Sequence, residues 1–139
     1  MLTRTTVFLF LLVSFVLTSP VFAELNLQDG NWEITTNVEM KGMPPMPPTK
    51  FTQCITRNDA VPKKPEKNQE CKITNTKISG DTVTWSMQCK TKEVTIDSSG
   101  QITYKKDKFD GIVNMNMNSK SGKMQMIQHM SGKRIGDCK

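Results

Sequence analysis

The chain has 139 residues and a formal net charge of +6; residues 1–23 read as a removable export leader, which leaves one domain's worth of sequence at residues 24–139. Arg4 is the only charge in that leader, so the remainder carries +5 of the +6, together with all four cysteines and the single histidine. These quantities exclude a multidomain protein, a polytopic membrane protein, a large cofactor enzyme and a His-rich zinc protein, and the patterned apolar segments exclude a disordered chain.

The leader has the parts that export requires. Arg4 supplies the positive start, and residues 7–17 are apolar apart from Ser14. Pro20 breaks any helix, and Val21-Phe22-Ala23 places small residues where a signal peptidase reads. The apolar run is too short for a membrane span, which needs about 20 residues. Glu24 rather than Cys follows Ala23, which argues against a lipid-anchored product. Nothing later in the chain is apolar for long enough to span a bilayer. The expectation is a soluble periplasmic or secreted domain in an oxidising compartment, where four cysteines make two disulfides.

The mature segment then reads as a succession of strands. After Gly30, the residues Trp32, Ile34 and Val38 share one parity, which is strand alternation. Residues 40–48 contain four prolines and read as a loop or edge segment. Residues 51–55 form a short strand carrying Cys54, and Thr56 is placed to cap one helical turn closed by Pro62. Residues 63–70 are charged and exposed. Beyond them come strands at 71–78, 82–89, 93–97, 101–105, 109–118 and 123–130, separated in turn by Ser79-Gly80-Asp81, Ser98-Ser99-Gly100 and Ser119-Lys120-Ser121-Gly122 within three hairpins. The predicted fold is all-β, an antiparallel meander of about eight strands forming a strongly curved sheet or small barrel with little helix.

Hairpin arithmetic favours one of the three possible cysteine pairings. A three-residue turn at Ser79-Gly80-Asp81 sets Ile73 opposite Met87 and Cys71 opposite Cys89. Opposed strand residues have Cα atoms about 4.5–5.5 Å apart, within disulfide reach. Cys54 and Cys138 then remain as the second pair, which would tie the second strand to the C-terminus. No C-x-x-C or C-x-H spacing points to metal or redox chemistry.

Methionine is the sharpest functional signal. Nine of the ten methionines follow residue 23, where leucine occurs only as Leu25 and Leu27. Met40, Met43 and Met46 recur every third residue in the proline-rich segment. A four-residue loop at residues 119–122 sets Met117 opposite Met124 and Met115 opposite Met126. Thioethers are soft donors that select Cu(I), so both groups are candidate Cu(I) ligands. The plainer reading of the hairpin is a buried face, shared with Phe109 and Val113, on which methionine fills space that leucine fills elsewhere. The opposite face carries Asn114, Asn116, Asn118, Gln125 and His129. For Met40, Met43 and Met46 the plainer reading is contact with a hydrophobic ligand or partner.

Lysines are dispersed over loops and strand ends, as solubility and edge protection require; attraction to an anionic envelope surface is the sharper alternative. No aromatic residues interleave with them, so nucleic acid is not an expected partner. Trp32 and Trp85 have core parity. His129 has no nucleophile partner in any recognisable motif, and Asp107 and Asp110 read as turn and edge residues, so no catalytic residue is identified.

The ordered set of Gly30-Asn31-Trp32-Glu33-Ile34-Thr35, Cys54-Ile55-Thr56, Cys71, Gly80 with Thr82-Val83-Thr84-Trp85, Cys89, Gly100-Gln101-Ile102-Thr103-Tyr104, Phe109-Asp110-Gly111 and the final Ser131-Gly132-Lys133-Arg134-Ile135-Gly136-Asp137-Cys138 resembles a family of small bacterial exported proteins, domain of unknown function 3617. The resemblance implies a periplasmic or secreted location and two disulfides, with no established activity and no site residues. One departure is Lys105-Lys106 after Tyr104, where relatives are expected to carry His-Gly. The combined expectation is a non-catalytic module that needs no cofactor and binds a small hydrophobic or envelope-associated partner, with residues 40–48 at the mouth of the sheet. The alternatives are a Cu(I)-handling protein and an enzyme without a recognisable motif.

Overall fold

In the computed structural model, which describes residues 24–63 and 67–139, the chain forms a seven-stranded sheet. The strands are β1 (Gly30–Met40), β2 (Thr49–Ile55), β3 (Glu70–Ser79), β4 (Thr82–Lys90), β5 (Val94–Lys105), β6 (Lys108–Ser119) and β7 (Gly122–Gly136). All pairings are antiparallel, in the order β2-β1-β7-β6-β5-β4-β3. Strands β3 to β7 form an uninterrupted meander, and β7 then docks on β1. Among the described residues there is no helix. The leader read at residues 1–23 lies outside the described residues.

Four expectations need correction. The sheet is open, neither closed nor strongly curled: β2 and β3 are its free edges, and no strand approaches any strand other than its ladder partners. Barrel closure requires both edges to turn an apolar face into a shared lumen. Strand β3 is exposed along nearly its whole length, with only Ile73 partly buried, so it has no apolar face to contribute. Second, there are seven strands, not about eight. Ser98-Ser99-Gly100 is not a turn but the middle of β5. Ser98 is buried and its hydroxyl donates to the Met87 carbonyl at 3.1 Å. Gly100 faces Trp85, and a Cβ there would come within 2.2 Å of the indole. The glycine serves a close approach rather than a bend. Third, the turns at Gly80-Asp81 and Lys120-Ser121 are tighter than expected, with two residues each. Ser79 faces Thr82 across Gly80-Asp81, and a bulge between Ile73 and Asn75 then shifts the register back so that Cys71 faces Cys89. Ser119 likewise faces Gly122, which leaves Met117 opposite Met124 and Met115 opposite Met126. Thr56 closes a tight turn instead of capping a helical one: its carbonyl accepts the Asp59 amide at 3.0 Å.

One face of the sheet is apolar, as alternation dictates. At one end of that face, Trp32, Tyr104 and Phe109 interlock with ring centroids 5.4–5.9 Å apart. Irregular chain covers them: Leu25 and Leu27 from before β1, and Ala60 and Val61 from after β2, join Ile34, Ile55, Val83 and Ile102 in the core. The covering segments are pinned by hydrogen bonds. Lys106 N donates to Asn26 O at 2.8 Å, Gln28 N to Lys106 O at 3.0 Å, and the Tyr104 hydroxyl to Ala60 O at 2.6 Å. Burial, with Asp59 nearby, holds the Tyr104 phenol well above the ordinary tyrosine pKa.

Both sheet edges carry a disulfide. Cys54–Cys138 joins β2 to the segment after β7 with Cα atoms 5.4 Å apart, and Cys71–Cys89 crosses the β3–β4 ladder with Cα atoms 4.0 Å apart.

Three outcomes are expected of this core. Lys106 occupies the two-residue turn between β5 and β6 with φ of 64°, in the left-handed region that favours glycine, at the position where the family resemblance expects glycine. Relief of that strain exceeds the added unfolded-state entropy, so Lys106→Gly should raise stability by about 0.5–1 kcal/mol. Gly100→Ala should lower it by about 1–3 kcal/mol through overpacking on Trp85; urea midpoints with unchanged slopes check both. Tyr104 is the only tyrosine, so ultraviolet absorbance titration reads its phenol alone. Its proton is bound more tightly in the folded state than in the unfolded chain. The associated stability is therefore complete below about pH 10 and declines as the pH rises above that value, with phenolate appearing together with unfolding.

Candidate binding face

The described covering residues overlie only part of the apolar face. Beyond it, the inward positions of the middle strands form an open floor. Successive rungs can be read from the ladders. Val38, Gln128, Val113, Gly100 and Trp85 make one rung; Met40, Met126, Met115, Ser98 and Met87 make the next; Met124, Met117, Ile96 and Cys89 make a third. A hollow of about 500 Å³ lies over this floor, lined by Phe51, Met87, Ile96, Val113, Met115 and Met130, with Trp85 and the Cys71–Cys89 pair also in its wall. Its size falls within the range of small-molecule sites. Gln69, Gln128, Ser98 and Lys63 supply the polar lining. Lys63 sits there in an ion pair with Asp59 at 2.8 Å, and its amide donates to Gln53 Oε1 at 2.8 Å. A second hollow of about 480 Å³ lies at the β6–β7 turn, lined by Val94, Met117, Met124, Glu93, Lys120 and Lys123. Trp85 is buried, and among the described residues its indole Nε1 is the buried side-chain polar atom with no hydrogen-bond partner.

The methionines are divided by this arrangement. Met130 is buried at the edge of the core, and Met87 and Met115 are partly buried against it. Met117 and Met126 are half-buried and Met124 is 44% exposed. The reading of the hairpin methionines as buried core thus needs correction: it fits Phe109, Val113 and Met130 and in part Met115, while Met117 and Met126 are only half-buried and Met124 is exposed. The physical reason is the reach of the described covering residues, which pack at the Trp32, Tyr104 and Phe109 end and border the hollow only at Pro62, Lys63 and Gln69. Met40 closes β1 on the same floor. Residues 41–48 are exposed throughout, Met43 at 54% and Met46 at 40%, and neither hollow is lined by Met40, Met43 or Met46.

The other candidate groups lie apart from one another. His129 is on the polar face, 3.6 Å from Glu39. Asp110 is exposed and paired with Lys105 at 3.4 Å, while Asp107 sits in the β5–β6 turn, its carbonyl accepting the Arg134 amide at 2.9 Å. Among the described residues no three His, Cys, Asp or Glu side chains converge, and no helix is long and apolar enough to cross a membrane. Sequence reasoning did not single out Tyr104, although its parity with Ile102 would have placed it inward. It also missed the unpartnered Trp85 donor, which no local pattern reveals.

Comparison with known proteins gives the family. The model described as "Protein of unknown function (DUF3617)" matches residues 27–138, and the chain belongs to that family. No curated protein and no solved structure matches the chain.

Proposed function

We propose that this member of the DUF3617 family is exported through its leader, cleaved near Ala23, and acts as a non-catalytic module that holds the acyl chain of a small amphiphile of the cell envelope. The observation that carries the reading is the uncovered half of the apolar face, with its hollow of about 500 Å³ over Val113, Met115, Ile96 and Phe51. An apolar floor left open to water costs free energy that burial against a ligand recovers, at about 25 cal/mol per Å². Methionine suits such a floor, because an unbranched, polarisable side chain adapts to different occupants. Lys63 and the glutamines at the rim offer contacts to a polar head group. The two disulfides fit an oxidising, exported environment, in keeping with the leader.

The test uses the mature chain from Glu24 with anilinonaphthalene sulfonate as the reporter. Dye emission should rise on binding and fall when palmitate displaces it. Met115→Glu, which puts a charge on the floor, should weaken palmitate by more than about tenfold. Ile112→Glu, on the opposite face, should leave it unchanged. Absence of palmitate binding, or equal effects of the two substitutions, would overturn the reading.

A further inference from the structure

We propose that the methionines at the β6–β7 end of the open floor form a Cu(I) site, with Met115, Met117, Met124 and Met126 as ligands and Met40 beside them. This inference stands independently of the acyl-chain reading. The ladders set Met115 opposite Met126 and Met117 opposite Met124, and Met126 has Met40 as its neighbour on the other side. With Met87 across Ser98 on the same rung as Met115, six thioethers therefore occupy two successive rungs of one face. Opposed Cα atoms are about 5 Å apart and successive same-face residues about 7 Å apart. Three rotatable bonds per side chain let the sulfurs converge from that frame.

The distribution of residue types supplies the second argument. The covered core is built from Leu, Ile, Val, Ala and aromatic side chains, and Met130 is its only methionine. If methionine merely replaced leucine as filler, it would be found there. Instead most of the thioethers lie beyond that core, Met115, Met117 and Met126 only partly buried and Met124 exposed. Thioethers are soft, neutral donors, so such a cluster selects Cu(I) over harder divalent ions. The charges nearby favour the same choice: Lys120 and Lys123 line the adjoining hollow against a single Glu93, a balance that penalises a divalent cation more than a monovalent one.

The experiment is an anaerobic Cu(I) titration of the mature, disulfide-intact protein in competition with bicinchoninate, alongside NMR of the methionine methyl groups during Ag(I) addition. The expected result is one Cu(I) per chain, bound tighter than about 1 μM, with methyl shifts at the four hairpin methionines. Replacing Met115, Met117, Met124 and Met126 together by Leu should weaken Cu(I) by at least about 100-fold. The folded state should survive, read from the urea midpoint, because leucine keeps the volume and the apolar surface. If the fourfold variant does not fold, Met115→Leu with Met126→Leu serves in its place. Binding no tighter than micromolar, unchanged affinity in the Leu variants, or shifts confined to Met43 and Met46 would overturn the site. Palmitate binding without Cu(I) binding sinks this inference alone, and the converse sinks the acyl-chain reading alone.

Discussion

A single antiparallel sheet presents one apolar face, and that face must be covered by something. Among the described residues the cover is two short irregular segments, one contributing Leu25 and Leu27 and the other Ala60 and Val61. They meet over Trp32, Tyr104 and Phe109, where each large side chain contributes roughly 1.5–3 kcal/mol on burial. Their backbones are stitched to the sheet at Lys106 and Tyr104, so cover and core form together. The Asp81 turn joins the same arrangement: its carboxylate accepts the Asn26 amide at 3.1 Å and its carbonyl accepts Tyr104 N at 2.9 Å. Everything else about the molecule reflects how little of the sheet this cap reaches.

The disulfides act where packing is thin. Strand β3 has almost no buried side chain, and its hold on the sheet is the ladder to β4 plus the Cys71–Cys89 bond. Strand β2, at the other edge, is joined through Cys54 to a residue 84 positions away, beyond the end of β7. In a chain-entropy description, closing these loops contributes about 3 and about 4.5 kcal/mol. For a small sheet with half a core, that is comparable to its whole margin of stability. Lys72 and Lys77 on the outer strand and Lys50 on β2 also discourage edge-to-edge association.

Much of this was legible locally. Alternation placed Trp32, Ile34, Phe109 and Val113 on one face, and turn positions set the register that brings Met115 to Met126. The β3–β4 register at Cys71 and Cys89 came out the same although the turn is shorter, because the bulge after Ile73 compensates. What stayed hidden depends on neighbours distant in sequence. Ser98-Ser99-Gly100 has the composition of a turn, and only Trp85 on the adjoining strand explains why a glycine belongs inside β5. Closure into a barrel depends on both edges at once, and the polar character of β3 decided against it. Alternation also says which face is apolar without saying how far along it any cover extends, so the hairpin methionines could not be divided into buried and uncovered from their spacing.

That division is what gives the open floor its chemical character. Under the proposed function, a face that exchanges water for a ligand repeatedly cannot rely on the rigid interdigitation of branched side chains, which suits a permanently closed core. Ile34, Val83 and Ile102 have such permanent neighbours, and they lie under the cap. Met87, Met115, Met117, Met124 and Met126 lie beyond it, where each side chain offers a flexible hydrocarbon stem and a sulfur atom to whatever approaches. The proposed acyl-chain function rests on the first and the proposed Cu(I) site on the second, on the same few rungs of the sheet. The limited reach of the cap and the choice of methionine are thus one arrangement: the chain closes the end it fills with branched and aromatic residues, and leaves open the end it lines with thioethers.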